Sequence, residues 1–154
     1  MSWTPLQVQS EMTKKYLLSV LSMLSFFTLA EQPPVGPVGL VQATFVGEQV
    51  SLVNADGQCM FTRAGATPLL MDMAWPCRFS VTRHQSLRVE TFDQTPILMV
   101  ERSEHLPAPD LGCRTVVQAV RWYKGKLETA RAQHIAMCGP GHWDQKMFMA
   151  VFDW

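Results

Sequence analysis

Cys138, Gly139, Pro140, Gly141, His142, Trp143 and Asp144 follow one another near the end of the 154-residue chain, and three of these types do chemistry in other settings. Cys138 and His142, four residues apart across a flexible turn, have the types of a metal-ligand pair or of a nucleophile and its base. The run Cys138-Gly139-Pro140-Gly141 resembles the first half of a Cys-x-x-Cys redox motif, but Gly141 stands where the resolving thiol is required. A structural zinc site takes four ligands. The remaining histidines, His84, His105 and His134, are isolated in sequence and form no paired ligand motif, so neither metal nor cofactor is expected.

A second chemical grouping is Glu101, Glu104, His105 and Asp110, in which a Glu-His pair could carry acid-base work in a small hydrolase. The bland alternative is a charged strand end that faces solvent and runs into a proline-rich loop. No Gly-x-Ser-x-Gly, His-Glu-x-x-His or phosphate-binding loop is present.

Compartment bears on both groupings. Lys14 and Lys15 precede an uncharged run from Tyr16 to Ala30 that closes on Thr28-Leu29-Ala30, the outline of a secretory signal cleaved after Ala30. The run is short for a membrane span, which needs about 20 apolar residues. Initiation at Met12 would give a more ordinary basic start. On this reading residues 1–30 are the signal, 31–39 a Pro/Gly-rich segment and 40–154 one domain, with the signal as the only membrane contact. The four cysteines, Cys59, Cys77, Cys113 and Cys138, then read as two disulfides. Pairing Cys59 with Cys77 and Cys113 with Cys138 links near neighbours in sequence, and sequential strands tend to lie side by side. A bridged Cys138 is neither nucleophile nor ligand.

The elements that position these residues read as short strands. Apolar runs separated by turn residues about every ten positions fit a mainly β domain, a small antiparallel sandwich or barrel. Strand candidates cover 38–46, 49–53, 58–61, 68–73, 77–81, 86–91, 97–102, 113–123 and 132–138, with Asn54 to Gly57 as a hairpin turn and Pro96 as a separator. Residues 113–123 also match a helical period, but Thr115, Val116, Val117, Val120, Trp122 and Tyr123 favour a strand. Met71 and Met73 fall on one strand face as core filling, and His134 on a solvated face. Residues 123–128 form a turn that brings 132–138 back alongside 113–123. The final segment fits a short helix capped by Asp144, or another strand.

With 13 basic and 13 acidic residues and no basic run, the chain offers no footprint for nucleic acid. An exported two-disulfide β domain without catalytic motifs has the format of envelope proteins that bind and block an enzyme or toxin. An inhibitor- or immunity-type protein binding another protein is therefore the expectation, with two alternatives. One is the hydrolase; the other is a structural accessory held by an uncleaved anchor. The binding residues would be His142, Trp143 and Asp144, presented by a turn that the Cys138 disulfide limits in motion. The competing fate of Trp143 is to pack in the core beside Met147.

Overall fold

A computed structural model describes residues 39–154. The signal segment 1–30, and all but the last residue of 31–39, lie outside them. Ten strands and one short helix make up the described chain: β1 Gln42–Phe45, β2 Glu48–Ala55, β3 Gln58–Arg63, β4 Leu69–Ala74, β5 Arg78–Phe79, β6 Val89–Phe92, β7 Thr95–His105, β8 Cys113–Tyr123, β9 Lys126–Thr129, β10 Gln133–Ile135 and α1 Lys146–Met149. The first sheet has the order β1-β2-β3-β4. The second has the order β10-β8-β7-β5, with β6 also on β7 and β9 also on β8.

Tight turns set the hairpins. Asp56-Gly57 and Lys124-Gly125 each place two successive residues at positive φ, the geometry that matches the twist of paired strands. Asn54 Oδ1 accepts from Gly57 N at 2.7 Å and ties the first of these turns. The side-chain period of two then decides the inward face. Val50, Leu52, Cys59, Phe61, Met71 and Met73 point from the first sheet into a core shared with Phe79, Leu98, Val100, Val116 and Val120 of the second. Gln118, buried on that inner face, spans the layers, accepting from Asp72 N at 2.7 Å and donating to Ala130 O at 2.9 Å.

Strands β7 and β8 are buried on both faces, which is why they read as nearly continuous apolar runs. Their second face, carrying Ile97, Met99, Val117 and Ala119, is covered by the C-terminal segment through Trp143 and Phe148. The odd-numbered positions of both strands line this face. It grades from those apolar residues to Glu101, Ser103, His105, Thr115 and Cys113, with Ser103 opposite Thr115 and His105 opposite Cys113.

Both disulfides have the expected partners, Cys59–Cys77 and Cys113–Cys138. The first does more than join neighbouring strands: Cys59 lies on β3 and Cys77 just before β5, so it staples the two sheets. Each bridge contributes about 3 kcal/mol on a chain-entropy basis, and such bridges persist in an oxidising compartment.

Four expectations are corrected. Pro96 does not separate strands but sits inside β7, opposite Thr91 and one residue before β8 begins to pair, where its missing N–H is tolerated. The return arm after Lys124-Gly125 is first β9, on residues 120–123 of β8; β10 then pairs separately with residues 115–117. The first strand starts at Gln42, later than residue 38. Glu101 does not face solvent; it is fully buried. Met71 and Met73 are core residues and His134 is exposed, as their alternation indicates.

Candidate functional site

The turn 137–144 lies over the polar end of the outer β7–β8 face. Cys138 is bonded to Cys113, and the backbone on either side of it is held independently. The Thr115 hydroxyl donates to Met137 O, and Gly139 N donates to Ser103 Oγ at 3.1 Å. Thr115 Oγ1 and Ser103 Oγ are hydrogen-bonded to each other at 2.8 Å.

Beyond the turn the chain dives into the fold. Trp143 is 2% exposed, packed among Ile97, Met99, Val117 and Phe148, with Met147 against the same cluster. Its indole Nε1 donates to Glu101 Oε2 at 2.6 Å, and Arg78 Nε donates to Glu101 Oε1 at 2.8 Å. Each carboxylate oxygen thus has a donor, which is what lets a charge stay buried here. Arg88 Nη1 donates to Trp143 O at 2.6 Å while its guanidinium stacks on Phe148 at 4.9 Å. Trp143 is therefore a core residue and not an exposed anchor, whereas His142 and Asp144 on either side of it are exposed. Asp144 Oδ1 accepts from Lys146 N at 2.9 Å at the start of α1. His142 borders a small cavity of about 250 Å³ with Val81, Thr82, Arg83 and Arg88.

Gly141 is buried against the indole. A Cβ there would lie 2.4 Å from Trp143 Cζ2, and the ring, fixed by its neighbours and by Glu101, has nowhere to go. Gly141→Ala is expected to cost about 1–3 kcal/mol by overpacking, read as a lower denaturant midpoint at unchanged slope. An unchanged midpoint would mean that the turn is free to shift.

The second sequence grouping does not converge. Glu101 is saturated by Arg78 and Trp143, and Glu104 is held by Arg102 Nη1 at 2.5 Å. Glu104 and His105 are successive strand residues, so their side chains leave opposite faces of the sheet. Asp110 is exposed in the loop between β7 and β8. His105 instead meets the disulfide, with Nδ1 3.4 Å from Cys113 Sγ.

The larger concavity, about 1130 Å³, lies between β9, β10 and the C-terminal segment. Leu127, Ile135, Met147, Val151 and Phe152 contribute apolar surface, and Arg121, Glu128, Arg131, Lys146 and Asp153 charge. Arg121 is committed internally: Nε donates to Glu128 Oε2 at 2.9 Å, and the guanidinium stacks on Phe152 and Trp154. That leaves Arg131 and Lys146 against Asp153, a slight positive excess. Strand β10 closes this end of its sheet, with β8 on one side and, among the described residues, no strand on the other. Nothing in the residue types of 126–153 announces this groove, because it arises where two strands from different parts of the loop meet a segment that follows them.

No protein-family model, curated protein or solved structure matches the chain.

Proposed function

We propose that the protein is exported to the periplasm or the extracellular space. There it acts as a binding protein of the inhibitor or immunity type, occupying the surface of a partner enzyme or toxin. The observation that carries this reading is the groove of about 1130 Å³ beside the edge of β10, lined by both apolar residues and charges, the charges with a slight positive excess. An open strand edge offers unpaired backbone donors and acceptors to an extended segment of another protein. The positive excess of Arg131 and Lys146 favours a segment bearing acidic side chains. The two disulfides and the buried Glu101–Trp143 pair hold the groove's walls in place before binding, which reduces the ordering cost of association. His142 and Asp144 stay in the proposal as exposed residues of the turn leading into α1; Trp143 acts only by supporting them.

The test is affinity capture of the tagged protein from its own cell-envelope fraction, repeated with the surface variant Arg131→Glu/Lys146→Glu. The expected result is one enzyme or toxin whose binding weakens about tenfold or more in the variant, with thermal stability unchanged. A partner retained equally by both forms would overturn the groove as the binding surface. An exported form whose intact mass still includes residues 16–30 would favour the anchored accessory instead.

A further inference from the structure

His105, Cys113 and Cys138 bring three ligand atoms within 4.8 Å of one another. Two come from directly opposed residues of β7 and β8, so their Cβ atoms face each other across the strand pair. The third comes from the turn. A disulfide sulfur carries no proton, so at 3.4 Å the imidazole Nδ1–H is the donor and Cys113 Sγ the acceptor.

We propose that these three residues form a metal site for a zinc-type cation, masked by the Cys113–Cys138 disulfide and opened by two-electron reduction with a dithiol. One thiolate of the reductant attacks Cys138 Sγ, the S–S bond breaks, and the electron pair leaves on Cys113 Sγ, where the His105 Nδ1–H donates to the new thiolate. The reductant's second thiol then displaces Cys138 from the mixed disulfide. The dithiol ends as a disulfide and the protein as two thiols, which surrender two protons when they bind the cation, while the neutral imidazole keeps its one proton on Nε2 so that Nδ1 is free to ligate.

Three features of the fold support the site. Access is selective, since Cys138 is exposed, whereas Cys59 and Cys77 are both buried in the main core. The spacing of one pair suits a tetrahedral ion: Zn–S of about 2.3 Å and Zn–N of about 2.0 Å put neighbouring S and N ligands about 3.5 Å apart, close to the 3.4 Å between His105 Nδ1 and Cys113 Sγ. The geometry also survives loss of the covalent bond. Met137 O and Gly139 N, flanking Cys138, are anchored to Thr115 and Ser103, and Trp143 is anchored to Glu101. The reduced Cys138 therefore stays near its partners and needs only a side-chain rotation to reach a ligand spacing of about 3.8 Å from Cys113. Three protein ligands leave the fourth position to water or to an exchangeable ligand, as in zinc sites that are not purely structural. The sequence conceals this because the ligands lie at separations set by a strand pair and a loop, not by a helix or a knuckle.

Cobalt(II) is the probe, added anaerobically to the full chain after limited phosphine reduction, with thiols mapped by alkylation and mass spectrometry. Cys113 and Cys138 should be labelled first. The reduced, still folded protein should bind one cobalt per chain, with the near-ultraviolet charge-transfer absorption of thiolate ligands, and the oxidised protein none. His105→Ala, at an exposed position that leaves the fold intact, should weaken binding about tenfold or more, and His105→Cys should restore it. Equal affinity in His105→Ala, labelling of Cys59 and Cys77 first, or a folded reduced protein that binds no cobalt would each overturn the proposal.

Discussion

Trp143→Ala is expected to lower the unfolding free energy by about 3–5 kcal/mol, the usual cost of truncating a fully buried large aromatic. The ring fills the space between the outer β7–β8 face and α1, touching the cluster of Ile97, Met99, Val117 and Phe148. Its removal also leaves Glu101 Oε2 without the indole donor 2.6 Å away, and a buried charged acceptor deprived of a partner adds to the cavity cost. Trp143→Phe separates the two contributions. It keeps most of the ring and loses only the N–H, for about 1.5–3 kcal/mol. Urea titrations of both variants are the measurement. With a total stability on the order of 5–15 kcal/mol, the alanine variant should be visibly less stable at 25 °C. A loss under about 1 kcal/mol would instead return Trp143 to the surface as a binding anchor.

Glu101→Ala should be as damaging, at about 3–5 kcal/mol, for the complementary reason. The carboxylate is wholly buried, and its two oxygens receive the Arg78 guanidinium and the Trp143 indole separately. Removing it takes the carboxylate away from the Arg78 guanidinium, which is itself only one-fifth exposed. Glu101→Gln keeps the shape but not the chemistry, because one amide terminus is a donor and must face one of the two donors already present. A double-mutant cycle of Glu101→Gln with Trp143→Phe should therefore show a coupling of about 1–3 kcal/mol, since both singles break the same bond. Additive losses would mean that the pair is not a bond in solution. Because this pair fixes the C-terminal segment on the sheet, either loss should also weaken partner capture through the groove wall.

Much of the fold is decided by residues acting locally. Asp56-Gly57 and Lys124-Gly125 set hairpins because few sequences adopt two consecutive positive φ angles. Met71 and Met73 point inward because strand side chains alternate, whatever lies elsewhere. The cysteine pairs follow from their even number and their order along a chain of successive strands. Alternation assigns a face but does not say what covers that face, and there the sequence is silent. Glu101 reads as a solvated strand-end charge until the C-terminal segment, 42 residues further on, lays Trp143 over it. The turn 138–144 leaves Trp143 two fates, a presented aromatic or a core residue beside Met147, and the same packing decides for the second. His105 meets Cys113 only because the β7–β8 register sets them opposite each other, and meets Cys138 only because the turn folds back over that strand pair. Covering one face of a sheet with a remote segment costs chain entropy and is repaid by buried area and paired charge summed over many residues. That balance is a property of the whole tertiary structure, which alone decided where the buried charge, the groove and the cysteine–histidine cluster came to lie.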